Sequence, residues 1–287
     1  MKKRVLLLGL VVLMVLTSCG TTEKETKTKE KDPDKLVLNI EDKKEDDIQE
    51  EQTDMQEQAS QPDGQSQAEE VNEQQPQKNG HLIAIDAGHQ AKGNSEKEPV
   101  GPGSSEMKAK CTSGTQGTYS GVPEYQLNLE VSLQLKDELE QRGYQVVMTR
   151  TDNETAISNM ERAQYAAAQG AEIYVRIHAN GDDSHTASGA LTMSPSQNNP
   201  YIPQLFEQSD RLSRCIIDSY CAATGFQNLG IQYTDTMTGI NWSTVPVTIL
   251  EMGFMTSQND DLKMNDAEFQ KTMVQGIANG IDSYFAS

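Results

Sequence analysis

Several features that identify common protein classes are absent from this 287-residue sequence. No glycine-rich segment matches the dinucleotide-binding fingerprint and no phosphate-binding loop is present, so the sequence gives no sign of a nucleotide cofactor. Basic residues are also scarce, because 24 Lys and Arg stand against 43 Asp and Glu and give a net charge of −19. This acidity argues against a nucleic-acid partner and against direct binding to anionic lipid.

No apolar run near the start of the chain is long enough to span a bilayer. Residues 5–16 are apolar and follow three positive charges within the first four residues, a pattern typical of a signal peptide. Small residues precede Cys19 and resemble the lipobox of bacterial lipoproteins, which implies a signal peptide over 1–18 and a lipid on Cys19. The alternative is an ordinary secretory signal with a chance cysteine. We expect an extracytoplasmic protein anchored to the cell membrane by its lipid.

Aromatic residues are missing from residues 20–80, which are dominated by Glu, Asp, Gln, Lys and Thr. Such a segment cannot bury enough apolar surface to offset the entropy of ordering. We therefore predict a disordered acidic tether over 19–80, with a root-mean-square span of roughly 45 Å as a coil. Residues 81–287 remain, which is enough for one sizeable domain.

Cysteine usage leaves the disulfide question open. If Cys19 is lipidated, Cys111, Cys215 and Cys221 remain. Cys215 and Cys221 lie six residues apart on one predicted helix, so their Cα atoms would be roughly 9 Å apart, which is too far for a disulfide. A bridge from Cys111 to either of them and a set of buried free thiols both remain open.

Strand and helix patterns alternate along residues 81–287. The patterns predict strands over 81–86, 144–149, 173–177, 189–194 and 246–252, and helices over 122–142, 156–169, 202–223 and 267–285. Residues 90–121 show no periodicity, and a stretch of this length is usually a functional loop. The alternation predicts a single α/β domain with a mixed, mostly parallel sheet covered by helices on both faces.

Four polar side chains stand where a binding site is expected in such a sheet. His89 (IDAGH) and His178 (VRIHAN) follow apolar strand patterns, Glu124 opens an amphipathic helix, and Glu251 (LEMGF) ends another apolar run. Ligands in such sheets bind beyond the carboxyl ends of the strands, so these groups can converge. Two histidines and one glutamate would form a three-ligand zinc site with an open position for water, and the second glutamate would carry protons.

Each of these residues also has a plainer interpretation. A single histidine at a strand end is more often hydrogen-bonded to backbone than to a metal. Glu124 could instead stabilise the positive end of its helix, an effect of about 0.3–1 kcal/mol. Glu251 follows a buried run, and a lone carboxylate there requires a purpose. Their joint occurrence favours the metal site.

The motifs resemble those of the zinc-dependent N-acetylmuramoyl-L-alanine amidases of type 3. The matching segments, all in the family's order, are Asp86–His89, Glu124 with Asn128 and Leu129, Thr149 with Arg150, Glu161 with Arg162, Ile177–Asn180 and Leu250–Phe254. The resemblance implies one zinc ion held by His89, Glu124 and His178. It also implies a zinc-bound water as nucleophile and Glu251 as general base and acid.

Further residues take roles from the same resemblance. Asp86, Arg150, Arg162 and Asn180 are expected to orient the ligands or to contact substrate, and both arginines suit structural ion pairs equally well. His81 and His185 are not expected to bind metal. The sequence departs from the family pattern at Gln90, where glycine is usual, and at Arg176, where serine is usual. The loop between His89 and Glu124 is also longer than the common form.

The expected reaction is hydrolysis of the amide bond between N-acetylmuramic acid and L-alanine in peptidoglycan. Two alternatives stand beside it: a non-catalytic peptidoglycan-binding lipoprotein on the same fold, and a zinc peptidase that cleaves another amide. The expected partners are peptidoglycan and, through the lipid, the membrane, and we expect a monomer. No wall-binding repeat is evident in the sequence, so the lipid and the domain itself would provide targeting.

Overall fold

The structure is a computed structural model that describes residues 79–287. The predicted signal peptide, Cys19 and nearly all of the predicted tether lie outside the described residues. Within residues 79–287, no helix is long and apolar enough to cross a membrane. Strands and helices alternate along this part of the chain, which confirms the predicted α/β class.

The described residues form eight strands and six α-helices. The strands are β1 (Leu82–Ala87), β2 (Asn94–Pro99), β3 (Met107–Cys111), β4 (Gln145–Met148), β5 (Ile173–Asn180), β6 (Ala190–Ser194), β7 (Asn228–Tyr233) and β8 (Val247–Phe254). The helices are α1 (Glu124–Gln141), α2 (Asn159–Ala168), α3 (Phe206–Thr224), α4 (Thr238–Asn241), α5 (Gln258–Met264) and α6 (Ala267–Phe285).

Six strands form the main sheet in the order β4-β1-β5-β8-β6-β7. The first four run parallel, β6 runs antiparallel to β8, and β7 is parallel to β6. The central strand β5 is buried along all but its last residue, as expected for a parallel strand covered on both faces. The sheet is therefore mixed and mostly parallel, as predicted.

Helices cover both faces of the sheet. One apolar cluster joins Ile83 and Val175 to side chains of α1, α3 and α6, and a second joins Ala84 and Tyr174 to α2 and α4. Side chains alternate between faces along a strand, so residues spaced by two share a face. Arg176 and His178 therefore follow Tyr174 towards the side of α2 and α4.

Three local features differ from the predictions. The predicted loop over 90–121 contains the two-stranded hairpin β2–β3, whose strands are short and carry charged residues rather than an apolar alternation. The strands β5 and β8 run three and two residues further than predicted, so His178 lies within β5 rather than after it, while Glu251 lies within β8 as the predicted bounds already had it. The pattern also missed β7, α4 and α5.

Candidate metal centre

The first histidine lies on a tight turn after β1. The Gly88 amide donates to the Ile177 carbonyl over 2.9 Å, which ties the turn to β5. His89 then adopts a φ of 62°, a left-handed conformation that is uncommon outside glycine. The His89 Nδ1 lies 2.9 Å from the Thr112 carbonyl oxygen. A carbonyl only accepts hydrogen bonds, so Nδ1 carries the proton and Nε2 presents a lone pair.

Glu124 is the first residue of α1 and is 3 % exposed. Its Oε2 accepts a hydrogen bond from the Thr115 amide over 2.9 Å. Its Oε1 accepts from the Ala179 amide and from Asn128 Nδ2, each over 3.2 Å. The start of a helix also favours a negative charge. The carboxylate is therefore held in one orientation from three parts of the chain.

The two histidines face the Glu124 carboxylate. His89 Nε2 lies 3.1 Å and His178 Nδ1 lies 3.3 Å from Glu124 Oε1. The candidate ligand atoms of these three residues all lie within 4.8 Å of one another. The residues that the sequence predicted as metal ligands therefore converge on one point.

The protonation states at this point fit a bound cation. Burial lowers the pKa of His178 to about 4, so its imidazole is neutral at pH 7. Burial alone would raise the pKa of Glu124, but its hydrogen bonds to His178 and His89 outweigh this effect and lower the pKa below its usual range. The ionised Glu124 carboxylate and both imidazole nitrogens are directed at one point, where a cation can replace the hydrogen bonds between them. Two imidazoles and a carboxylate are a donor set typical of zinc.

Glu251 lies beside the three ligands without joining them. It is paired in register with His178 across β5 and β8, and its Oε2 is buried with no hydrogen-bond partner among the described residues. Burial raises its pKa to about 8, and the negative charge of Glu124 adds to the shift. A carboxyl group with a raised pKa next to a cation site suits proton transfer at neutral pH.

A buried ionic cluster supports the turn that carries His89. Asp86 accepts hydrogen bonds from Arg162 Nη1 over 2.6 Å and from Arg176 Nε over 2.8 Å, and also from the Thr149 hydroxyl. Burial alone would raise the pKa of Asp86, but both guanidinium groups outweigh it and hold the pKa far below its usual range. Asp86 makes these contacts rather than a hydrogen bond to a histidine, so it acts on the ligands through the backbone.

The remaining predicted site residues lie around this cluster. Arg150 is buried and donates to the carbonyls of Ala87 and Gly88 over 2.7 and 3.0 Å. Gln90 is also buried, and its Oε1 accepts a hydrogen bond from Arg162 over 2.9 Å. Its side chain fills the space that the glycine usual in the family would leave empty. Asn180 accepts from the Gly181 amide and lies at the bulge between β5 and β8.

A groove runs from the two histidines of the candidate metal centre along the sheet. We use this name for the cavity of about 240 Å³ that lies between the β2–β3 hairpin and residues 236–239. Six lining residues matter below: His89, Lys108, Arg176, His178, Gly239 and Glu251. The hairpin is fixed by hydrogen bonds from Trp242 Nε1 to the Pro99 carbonyl and from Asn159 Nδ2 to the Lys110 carbonyl, both 2.9 Å. The predicted functional loop therefore forms one wall of the groove.

Sequence reasoning missed the groups that orient the ligands. Thr115 contacts Glu124 through its backbone amide, and Thr112 contacts His89 through its carbonyl and its hydroxyl, within a segment whose sequence shows no periodicity. His81 instead contacts Glu172 and stacks on Phe285, while His185 is exposed in a loop; neither belongs to the cluster. Cys111, Cys215 and Cys221 are all free thiols.

Gly88 offers a test of the centre that leaves every ligand in place. A Cβ at this position would lie 2.3 Å from the His178 ring, so Gly88→Ala must displace that imidazole. We expect zinc affinity to fall by about 10- to 100-fold, as for other changes around metal ligands, in a competition titration with a chromophoric chelator. Gly93→Ala is the matched control, because its Cβ would make only ordinary contacts at 3.4 Å. Unchanged affinity in Gly88→Ala would contradict the assignment of His178.

Comparison with known proteins places the domain among cell-wall enzymes. Residues 83–283 match the family described as N-acetylmuramoyl-L-alanine amidase. The uncharacterized protein YqiI of Bacillus subtilis (strain 168) is 29 % identical over 206 residues, which are 72 % of this chain and 85 % of YqiI. The N-acetylmuramoyl-L-alanine amidase LytC of the same organism is 26 % identical over 208 residues, which are 72 % of this chain and 36 % of LytC.

A solved structure shares the fold. The N-acetylmuramyl-L-alanine amidase Ami1 from Mycobacterium smegmatis superimposes with a TM-score of 0.66 at 24 % identity. The match covers 72 % of this chain and 97 % of the Ami1 chain. The α/β domain described above is therefore an architecture that a solved amidase also has.

Proposed function

Because the chain belongs to the N-acetylmuramoyl-L-alanine amidase family over residues 83–283, we propose that His89, Glu124 and His178 hold one zinc ion and that Glu251 carries protons in the cleavage. The chain is an enzyme of this family and acts on peptidoglycan. The bond cleaved joins the lactyl group of N-acetylmuramic acid to L-alanine. The convergence of two imidazoles and one carboxylate within 4.8 Å, with Glu251 beside them, is the observation that carries the proposal.

The donor set indicates what each group would do. A zinc ion, when bound, would polarise the scissile carbonyl and acidify an attacking water. Glu251 would accept the proton of that water and then give a proton to the departing amine of L-alanine. The amine needs this proton because an unprotonated amine is a poor leaving group. A nearby cation would also lower the Glu251 pKa from about 8 into the range where the carboxylate accepts protons at pH 7.

The ligand role of His178 has a direct test. His178→Ala removes one of three metal donors, so we expect less than one tenth of a zinc per chain and no cleavage of purified sacculi. Metal analysis and release of new L-alanine amino termini measure the two effects. His185→Ala is the matched control, because that histidine is exposed and lies outside the cluster. Full zinc occupancy in His178→Ala would contradict the assignment of His178 as a metal ligand.

The product assay also separates the alternatives. Cleavage by the amidase frees the amino group of L-alanine from the muramoyl group. A zinc peptidase would free a different amino group, and a binding protein would leave the sacculi intact over long incubation. Labelling of new amino termini followed by hydrolysis identifies the residue that carries them.

The location of the enzyme is a second proposal, which rests on residues outside the described range. We propose that residues 1–18 direct export, that Cys19 carries the lipid and that 19–80 tether the domain of residues 81–287 to the outer face of the membrane. Cys19→Ser should move the protein from the detergent phase to the aqueous phase in a Triton X-114 partition and leave its specific activity unchanged. Detergent-phase partition of Cys19→Ser would contradict the lipid anchor.

A further inference from the structure

Arg176 lies on the floor of the groove with part of its guanidinium unused. The residue is 3 % exposed, and it donates from Nε to Asp86 over 2.8 Å and from Nη2 to Asn159 Oδ1 over 3.0 Å. None of the hydrogen bonds of the described residues uses its Nη1, and the buried Tyr174 hydroxyl is a further polar neighbour of the guanidinium. The Nη1 nitrogen faces Gly239 so closely that a Cβ there would lie 2.2 Å from it. A glycine at 239 therefore leaves space for the guanidinium at the groove wall.

The charges around Arg176 do not cancel. The single carboxylate of Asp86 lies between the guanidinium groups of Arg162 and Arg176, at 2.6 and 2.8 Å, so one positive charge is left over. Lys108 brings a second positive charge to the groove, where its Nζ donates to the Thr236 carbonyl over 2.6 Å. Among the described residues that line the groove, Glu251 is the one carboxylate. A guanidinium that shares its counterion with a second arginine, together with an ammonium group, favours an anionic ligand.

The position of Arg176 relates it to one part of the substrate. Glu251 gives its proton to the amine of L-alanine, so the peptide that continues from this amine lies at Glu251. Arg176 and Ile249 form the register pair two residues before His178 and Glu251 on the same face of the sheet. At about 3.3 Å per residue, this places Arg176 roughly 6–7 Å along the strand from His178. Consecutive residues of a peptide are about 3.8 Å apart, so the residue after L-alanine reaches this part of the groove.

We propose that Arg176 and Lys108 bind a free carboxylate on the residue that follows L-alanine in the stem peptide. The enzyme would then prefer stems in which this carboxyl group is free over stems in which it is amidated. This inference rests on the proposed function, because it takes Glu251 as the group that meets the amine. It makes Arg176, where the family usually has serine, a specificity-determining residue that binds substrate and does no chemistry.

Two substrates that differ in one group provide the test. N-acetylmuramoyl-L-alanyl-γ-D-glutamyl-L-lysine has a free α-carboxyl group on its glutamate, and its α-carboxamide is otherwise identical. We expect zinc-loaded wild type to cleave the free acid with a kcat/KM about 10- to 100-fold higher, the effect of one or two charge-assisted hydrogen bonds. The difference should appear mainly in KM, because the contact is made equally in the ground state and the transition state.

Variants of Arg176 and Lys108 test whether these residues cause the preference for the free acid. Arg176→Gln removes the charge and keeps one amide donor on a shorter side chain, and the ratio of the two kcat/KM values should fall to within about threefold of one. Lys108→Gln, at a half-buried position on the hairpin, should lower the ratio as well, and it carries the test if Arg176→Gln does not fold. Lys97→Gln is the matched control, because Lys97 is exposed and does not line the groove. Its ratio should equal that of wild type.

The outcomes distinguish a failure of the proposed carboxylate preference from a failure of the proposed amidase activity. Equal rates on both substrates, or a preference for the carboxamide, would overturn the inference and leave the amidase proposal standing. An unchanged preference in folded Arg176→Gln, or in Lys108→Gln when the first variant does not fold, would overturn the assignment to these residues. If zinc-loaded wild type cleaves neither substrate nor sacculi, the proposed function itself fails.

Discussion

Glu251→Gln should reduce the cleavage of sacculi by about a thousandfold while zinc remains bound. The glutamine has the size and shape of the glutamate, and Glu251 is not among the three ligands, so metal occupancy should not change. General acid–base groups contribute about 10²- to 10⁴-fold to rate, and Glu251 is proposed to act twice in one turnover. Release of L-alanine amino termini measures the rate, and metal analysis of the same sample measures the zinc.

Glu154→Gln is the matched control for this experiment, because Glu154 is exposed and distant in sequence from the four central residues. Its rate should equal that of wild type. A Glu251→Gln enzyme that cleaves at near the wild-type rate would remove Glu251 from the chemistry. Loss of zinc in this variant would instead show that Glu251 supports the metal rather than the proton transfer.

Glu251→Gln should lower the rate but raise the stability of the metal-free domain at neutral and higher pH. The Glu251 pKa is raised from 4.5 to about 8 on folding, so the protonated form is favoured in the folded state. The folded state therefore has its full free energy of unfolding below pH 4.5, where the carboxyl group is protonated in both states. This free energy decreases as the pH rises from 4.5 towards 8. At pH 7 the ionisable carboxyl costs on the order of 3 kcal/mol, which glutamine does not incur. Urea unfolding should therefore show metal-free Glu251→Gln to be more stable than wild type at pH 8 and equal to it at pH 4.

Asp86→Asn should lower the free energy of unfolding by about 3–5 kcal/mol. The change leaves the guanidinium groups of Arg162 and Arg176 buried without their shared counterion. Breaking a buried ion pair from one side costs this much because an uncompensated charge remains in the interior. Urea denaturation of the zinc-free protein measures the loss directly, without a contribution from metal binding.

Two further variants make the result specific to the buried charges. Asp183→Asn is the matched control, because Asp183 is exposed, and it should change the free energy of unfolding by less than about 0.5 kcal/mol. Adding Arg176→Gln to Asp86→Asn removes one of the two unpaired cations and should recover part of the lost stability. A loss below about 1 kcal/mol in Asp86→Asn would show that water or another group neutralises the two arginines.

The sequence predicted which side chains converge better than it predicted the residues around them. His89, His178 and Glu251 could be found because each follows a buried apolar run, where a polar group needs a reason to be present. Glu124 could not be told from a favourable helix start by physics alone, since the structural reason for it is the Thr115 amide in a segment without periodicity. Arg176 stood out as a departure from the family, but its partner Asp86 is 90 residues away in the chain. Contacts of that range depend on the sheet order, which the pattern of strands does not determine.

The hairpin shows the same limit at the level of secondary structure. Its strands read NSEKEP and MKAKC, and they lack the apolar alternation by which a half-buried strand is recognised. They pair because tertiary contacts hold them, including those from Trp242 and Asn159. The absence of periodicity therefore did not indicate that this segment forms a hairpin, and its functional role stays a prediction.

The three candidate ligands come from distant parts of the chain, which gives the metal a mechanical as well as a chemical role. Glu124 and His178 are separated by 54 residues and belong to the helix α1 and the strand β5. An ion that binds both, together with the turn after β1, closes long loops of the unfolded chain, and its binding free energy adds to the free energy of folding. A hundredfold excess of zinc over its dissociation constant would add about 2.7 kcal/mol. If the proposed zinc site is correct, folding and metal binding are coupled, and added zinc should raise the resistance of the domain to proteolysis.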